Sequence, residues 1–111
     1  MSGDTQVRLV FVTAPDAATA EQIATTLVSE RLAACVTRIP GVISVYAWQG
    51  KVEQEQEQLL LIKSSAATFP ALRERIVALH PYELPEVVAV RVTDGLTDYL
   101  KWVKQCTESI T

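Results

Sequence analysis

The sequence predicts a single α+β domain in which two helices cover one face of a four-stranded antiparallel sheet. Three observations predict this class: four segments rich in β-branched and apolar residues, two helical segments between them, and the order in which they alternate. With 111 residues, 49% of them hydrophobic and 21% charged, the chain can form one core and has an ordinary globular composition. We expect one domain over residues 1–111, with residues 1–6 and 107–111 loosely ordered.

The chain begins with a predicted strand and helix. Residues 7–13 are β-branched and apolar, and they predict the first strand. Asp16 suits a helix N-cap, because its carboxylate can accept hydrogen bonds from the free amides of the first turn. The apolar residues that follow recur with helical spacing: Ala20, Ile23, Ala24, Leu27 and Val28.

A long hairpin comes next. Residues 34–48 predict the second strand, interrupted by a bulge or bend at Pro40 and Gly41. Residues 49–51 predict a tight reversal, and residues 52–63 predict the third strand. With about 15 residues a side, the hairpin is expected to overhang the sheet by roughly 25 Å.

The rest of the chain predicts a helix, a strand and a short third helix. Thr68 suits the N-cap of the second helix, and Pro81 disfavours helical geometry at His80, so this helix should end there. Residues 86–92 predict the fourth strand. The apolar residues that mark the two helices are Phe69, Leu72, Ile76 and Leu79, then Leu96, Tyr99, Leu100 and Val103.

The order β-α-β-β-α-β with a terminal helix is the split β-α-β or ferredoxin-like pattern. Right-handed crossovers then predict an antiparallel sheet of strand order 4-1-3-2, with both helices on one face. The other face is also apolar, and a long hairpin is only marginally stable alone, so both features need a partner. We therefore expect a homo-oligomer held together by its hairpin arms.

Charge and cysteine content exclude several partners. Ten basic and 13 acidic residues give a net charge of −3, which argues against nucleic acid as the main partner. No basic amphipathic face, long apolar segment or signal segment is found, so we expect a cytoplasmic protein without membrane contacts. Cys35 and Cys106 do not form a zinc-ligand pattern, and we expect free thiols.

The loop at residues 80–88 carries the polar residues that point to a binding site. Two prolines, Pro81 and Pro85, fix its path, and it presents four candidates: His80, Tyr82, Glu83 and Glu86. Imidazole with carboxylates suits an exchangeable Cu²⁺ or Zn²⁺ ion. His80 equally suits a helix C-terminus, where an imidazolium interacts favourably with the helix dipole. No activated nucleophile, phosphate-binding loop or metalloprotease pattern is present, so we do not expect an enzyme.

Three further features concern binding. Trp48 lies at the predicted hairpin tip, and we expect it at an interface, where aromatic residues are enriched. Cys35 opens the second strand at the end of the sheet away from His80, so only a neighbouring subunit could bring the two together. Three glutamates alternate onto one face at residues 53–57, which is typical of a solvated strand that resists aggregation, with a weak cation patch as the alternative.

Taken together, several stretches resemble the CutA family, the divalent-cation tolerance proteins. The most specific are Ala-Ala-Cys-Val at 33–36, Tyr-x-Trp-x-Gly-Lys at 46–51 and His-Pro-Tyr-x-x-Pro-Glu at 80–86. The resemblance implies a ferredoxin-like trimer, similar to PII-type signalling proteins, whose hairpins clasp neighbouring subunits. It also implies a link to copper and other divalent cations, with His80 and Glu86 as candidate ligands and Cys35 as the family cysteine.

We therefore expect a trimeric cytoplasmic protein that binds a divalent cation, Cu²⁺ or Zn²⁺, and serves metal tolerance or response. The alternative is a PII-like signalling module that binds a small ligand in the cleft between subunits. The expected partners are other copies of the chain, divalent cations and an unidentified protein.

Overall fold

The computed structural model describes residues 3–108 of the chain. The predicted loose ends include residues 1, 2 and 109–111, which lie outside the described residues. The elements alternate as predicted: β1 (Val7–Ala14), α1 (Ala17–Ser29), β2 (Cys35–Trp48), β3 (Lys51–Ser65), α2 (Phe69–Leu79), β4 (Val88–Arg91) and α3 (Thr97–Cys106).

The four strands form one antiparallel sheet in the order β2-β3-β1-β4, which confirms the predicted order 4-1-3-2. β1 pairs with the inner half of β3, and the last pair joins Ala14 to Gln58. Residues 51–57 of β3 continue past this point with only β2 beside them in the described part of the chain. Seven residues extend about 23 Å at 3.3 Å per residue, so the predicted overhang is confirmed. We call residues 42–57 the arm, and residues 35–39 with 58–65 the root.

A β-bulge separates the root from the arm at the predicted Pro-Gly dipeptide. The register changes between Ile39, which pairs with Leu59, and Val42, which pairs with Glu57, so two residues of β2 oppose one of β3. Gly41 has a φ of 77°, a left-handed conformation that glycine adopts without a Cβ penalty. As a result, the sheet face that carries odd-numbered residues of β2 in the root carries even-numbered ones in the arm.

Helices α1 and α2 cover one face of the sheet. Asp16 caps α1 as predicted, with its carboxylate accepting from the backbone N–H of Thr19 at 2.8 Å. Val28 has the helical spacing of the apolar residues of α1, but it is 43% exposed, because eight residues after Ala20 the helix has turned by about 80° from the direction of that buried residue. The core consists of fully buried aliphatic residues that include Val10, Val12, Ile23, Leu27, Leu60, Ile62, Leu72 and Ile76.

The opposite face of the sheet carries a second apolar surface, which we call the open face. The strand register places its members on the side away from α1 and α2, and each remains partly accessible or exposed. They are Leu9, Phe11, Leu59, Leu61, Val88 and Val90.

Two details differ from the predicted elements. β4 covers Val88–Arg91 and not residues 86–92, and its ladder with β1 runs from Arg8 to Phe11. Thr68 precedes α2 as predicted, but its side chain does not cap the helix; its hydroxyl donates to the carbonyl of Thr107 at 3.0 Å instead.

The described residues of the two chain ends bond to the domain. The Asp4 carboxylate accepts a hydrogen bond from the Arg8 guanidinium at 2.8 Å, and the Thr5 N–H donates to the carbonyl of Val92 at 3.3 Å. Thr107 is buried, and its hydroxyl donates to the carbonyl of Val103.

Candidate functional site

A groove of about 900 Å³ lies between the arm and the loop at residues 81–86. Trp48 of the arm and Leu84 of the loop contribute exposed apolar surface to it. Among the residues that the structure describes, no lysine or arginine lines the groove. Its charged lining consists of five glutamates, three on β3 and two on the loop: Glu53, Glu55, Glu57, Glu83 and Glu86.

The loop leaves α2 where the sequence predicts. His80 is the C-cap of α2 and has an extended backbone, with φ −79° and ψ 136°, as expected of a residue before proline. Residues 81–87 have no regular secondary structure, and β4 begins at Val88. This path brings Glu83 and Glu86 to the groove and confirms that the helix ends at His80.

The His80 ring is buried and both of its nitrogens are engaged. Nε2 lies 2.7 Å from the carbonyl oxygen of Thr13, and Nδ1 accepts from the backbone N–H of Tyr82 at 3.1 Å. Because a carbonyl only accepts, Nε2 carries the hydrogen and the ring is the neutral tautomer. A metal could reach either nitrogen only after one of these bonds is broken, and His80 as a ligand stays a prediction.

Tyr82 joins the loop to the arm. Its hydroxyl donates to Oε2 of Glu57 at 2.8 Å. The centroid of its ring lies 4.7 Å from the centroid of the His80 ring. Burial, and after it the hydrogen bond to Glu57, raises the pKa of Tyr82 well above its usual range. The phenol therefore keeps its proton at neutral pH and remains a hydrogen-bond donor.

Glu57 corrects the expectation that the glutamates of β3 form a solvated strand. It is only 6% exposed, because the loop at residues 81–86 folds against the arm at this position. Glu55 is exposed and Glu53 is half-buried, so the expectation holds only for the outer part of the row.

Tyr46 is a groove residue whose role the sequence did not indicate. It pairs with Glu53 in the hairpin ladder and lines the groove. Burial, and then the neighbouring Glu55, raises the pKa of Tyr46. The bulge shifts the β2–β3 register by one residue, and the shifted register places Tyr46 opposite Glu53.

Cys35 lies away from the groove. It pairs with Lys63, which in turn pairs with Leu9 of β1, four residues before the Thr13 carbonyl that His80 contacts. Four residues of strand correspond to about 13 Å. The Cys35 sulfur lies 3.9 Å from Nζ of Lys63. Burial, and after it the neighbouring Cys35, raises the pKa of Tyr99 in α3.

The carboxylates of the groove are not gathered into a preformed metal cluster. Within residues 3–108, no group of three or more His, Cys, Asp or Glu side chains is placed to hold a metal ion. Trp48, expected at an interface, is 47% exposed at the groove.

Known proteins are similar to this chain in both sequence and fold. A family model described as CutA1 divalent ion tolerance protein matches residues 8–106. The chain belongs to this family. This membership confirms the resemblance that the three motifs indicated.

The similarity to individual members of the family extends over most of the chain. It is 48% identical over 99 residues to the divalent-cation tolerance protein CutA of Thermus thermophilus, covering 89% of this chain and 96% of that protein. It is 45% identical to human protein CutA over 104 residues, which are 94% of this chain but 58% of the human protein. The crystal structure of CutA from Xylella fastidiosa superimposes with a TM-score of 0.91 at 51% identity, covering 93% of this chain and 99% of that one.

The compartment does not follow from the family. No helix among residues 3–108 has both the length and the apolar character needed to cross a membrane. A CutA of known structure from Archaeoglobus fulgidus is described as a periplasmic divalent cation tolerance protein; it is 32% identical, with a TM-score of 0.89, and covers 92% of this chain and 99% of that one. A cytoplasmic location stays a prediction.

Proposed function

We propose that this protein binds divalent cations in the groove between the arm and the loop at residues 81–86, with Glu83 and Glu86 as direct ligands. The observation that carries the proposal is the lining of the groove, in which five carboxylates and, within the described residues, no basic side chain are present. A partly enclosed surface of one charge sign concentrates ions of the other sign. The names of the family and of its members, which refer to divalent-cation tolerance, support the same role.

The arrangement favours weak, exchangeable binding. An ion held by one or two carboxylates keeps several of its water molecules and exchanges them readily. Oxygen ligands alone suit hard cations, whereas Cu²⁺ and Zn²⁺ gain from an imidazole. The predicted preference for Cu²⁺ or Zn²⁺ therefore depends on His80, whose Nδ1 would have to release the backbone N–H of Tyr82.

Calorimetric titration with Zn²⁺ and Mn²⁺ tests the proposal. The double substitution Glu83→Gln/Glu86→Gln removes two charges from the groove without changing side-chain size, and we expect at least about a tenfold loss of affinity for both ions. Glu21→Gln is the matched control, because Glu21 is exposed on α1 and does not line the groove. Equal affinities for the double variant and the control would exclude Glu83 and Glu86 as the ligands.

A second titration tests the role of His80. If the imidazole is a ligand, His80→Gln should weaken the binding of Cu²⁺ much more than that of Mn²⁺, since only the former strongly favours nitrogen. An equal change for both ions would assign His80 to the support of the loop.

We also propose that the chain assembles as a homotrimer. Two features support self-association: an arm of two strands, which is marginally stable alone in water, and the open face, where Val88 is 52% and Val90 43% exposed. Sedimentation velocity at micromolar concentration should give three times the 12.2 kDa of one chain. A folded monomer under these conditions would contradict the proposal.

A small organic ligand in the cleft between subunits is the second candidate, as in a PII-like module. The groove, at about 900 Å³, is much larger than one ion requires, and Trp48 and Leu84 add apolar surface to it. Volumes of about 300–1,000 Å³ are typical of ligand pockets. Thermal-shift measurements with nucleotides and organic acids test this candidate, and unchanged melting temperatures across the panel would count against it.

The proposed role is binding without catalysis, in a reducing compartment such as the cytoplasm. His80, which would be the natural general base, has both ring nitrogens hydrogen-bonded within the protein. Cys35 and Cys106 are free, which suits a reducing compartment. Cell fractionation tests the location, and recovery outside the cytoplasm would exclude it.

A further inference from the structure

One hydrogen bond links the two walls of the groove. The loop at residues 81–86 forms one wall and the arm forms the other, and the bond from the Tyr82 hydroxyl to Oε2 of Glu57 spans them at 2.8 Å. Within residues 3–108, it is the one hydrogen bond between these two segments. This bond is therefore the one polar link, among the described residues, that joins the walls directly.

Tyr82 is also fixed at its backbone. Its N–H donates to Nδ1 of His80, and the opposite nitrogen of that ring is bonded to the carbonyl of Thr13 at the end of β1. The tyrosine is thus held both to the sheet and to the arm. Beyond it, the loop has no regular structure before Val88, and Leu84 is 78% exposed.

We propose that Tyr82 is a positioning residue, which holds the loop against the arm so that both walls of the groove face a bound cation. Glu57 then serves as the anchor for the tyrosine hydroxyl and not as a ligand. This inference rests on the proposed function, because it concerns the same groove.

The burial of the two residues supports this division of roles. Glu57 is 6% exposed, whereas Glu55, two residues further out along the arm, is exposed to solvent. Glu57 already has a hydrogen-bond donor within the chain, so an ion would have to displace the Tyr82 hydroxyl from a carboxylate that is almost inaccessible to solvent. Glu55 is exposed and Glu53 half-buried, so both are more accessible to an ion than Glu57 is.

Two substitutions separate positioning from ligation. Tyr82→Phe removes the hydroxyl but keeps the ring and all five carboxylates of the groove. Glu57→Gln keeps an acceptor for the hydroxyl but removes the charge. Tyr99→Phe is the matched control, because Tyr99 lies on α3 and does not line the groove.

The measurements are Zn²⁺ calorimetry and hydrogen exchange of the ligand-free full-length chain. We expect Tyr82→Phe to weaken Zn²⁺ binding about fivefold to tenfold at unchanged stoichiometry, a loss comparable to that of other residues that support metal ligands. Exchange should become faster at the Tyr82 amide, whose N–H is bonded to Nδ1 of His80, and remain unchanged at the core of β3. Glu57→Gln should stay within about twofold of the wild-type affinity, and the control should change neither quantity.

Two results would overturn the inference. One is a Glu57→Gln variant that loses as much affinity as Tyr82→Phe, since Glu57 would then be a ligand. The other is a Tyr82→Phe variant with wild-type affinity and wild-type loop exchange. Failure of the proposed function is distinct from both, because in that case the wild-type chain itself would bind no Zn²⁺.

Discussion

The root and the arm of the hairpin belong to the same two strands, yet they are stabilised in different ways. In the root, β3 has neighbours on both sides and lies under two helices, and Leu60 and Ile62 are completely buried. In the arm, the same strands have only each other in the described part of the chain, and Val45 and Val52 are 63% and 79% exposed. Both parts form a paired ladder, whereas these apolar side chains are buried in the root and exposed in the arm.

This difference explains where a binding site can form. A two-stranded segment with little buried apolar surface has low local stability, so its order depends on whatever contacts it. One such contact is known within the chain, the hydrogen bond from Tyr82 to Glu57. The groove lies at this contact, on the part of the fold that is least able to stabilise itself.

The largest expected effect comes from removing core volume in the root. Ile62→Ala should reduce the free energy of unfolding by about 2–5 kcal/mol, because Ile62 is fully buried between the sheet and the helices. Val52→Ala, in the arm, should change it by less than about 0.5 kcal/mol. Urea denaturation measures both values, and similar losses at the two positions would contradict the comparison.

Glycines with positive φ provide a second comparison. Gly41, at the bulge, has φ 77°, and Gly50, at the hairpin turn, has φ 78°. A new Cβ would meet only Gln56 Nε2 at 3.5 Å in the first case and nothing within 4 Å in the second, so backbone strain dominates at both.

Alanine at Gly41 should therefore cost about 1–2 kcal/mol of unfolding free energy. The same substitution at Gly50 should cost less than about 1 kcal/mol, because a marginally stable tip can relax or fray locally. Denaturation curves for the two variants provide the measurement. A larger loss at Gly50 would mean that the tip is part of the cooperative unit.

Hydrogen exchange at two protein concentrations sharpens the comparison further. If other copies of the chain cover the arm, dilution below the dissociation constant of the assembly should speed exchange at residues 43–47 by at least about tenfold. Residues 60–62, which are protected within one chain, should keep their rates. Rates in the arm that do not depend on concentration in a range where the assembly dissociates would contradict this expectation.

The smallest effect is expected at the start of β1. The hydrogen bond from Arg8 lowers the pKa of Asp4 from 3.8 to about 2, so the folded state favours the ionised carboxylate. The resulting stabilisation is fully present above pH 3.8 and is lost as the pH falls through about 2. The stability difference between the wild type and Asp4→Asn should therefore shrink between these pH values. A difference that does not vary with pH would exclude the ion pair as its cause.

Features that depend on neighbours in the chain could be predicted from the sequence. The cap at Asp16, the bulge at Gly41 and the helix end at His80 each follow from the chemistry of a few adjacent residues. The order of the elements then limits the sheet to one topology by the handedness rule.

Features that depend on distant residues could not be predicted. Glu57 looked like one member of a solvated row, and only its contact with Tyr82, 25 residues away, makes it buried. The tautomer of the His80 ring likewise depends on the position of the end of β1, because the carbonyl of Thr13 accepts a hydrogen bond from Nε2. Side-chain types identified the loop, but the partner of each polar atom required the folded chain.

The single additional residue at the bulge has a consequence for engineering. The alternation of side chains between the two sheet faces changes phase at the bulge. The odd-even pattern of β2 therefore has to be counted separately before and after it. A grafted segment that replaces the chain after Ile39 would present the intended side chains on each face only if its alternation allows for the one-residue shift. A graft designed by counting alternate residues straight through position 41 would present every side chain to the wrong side.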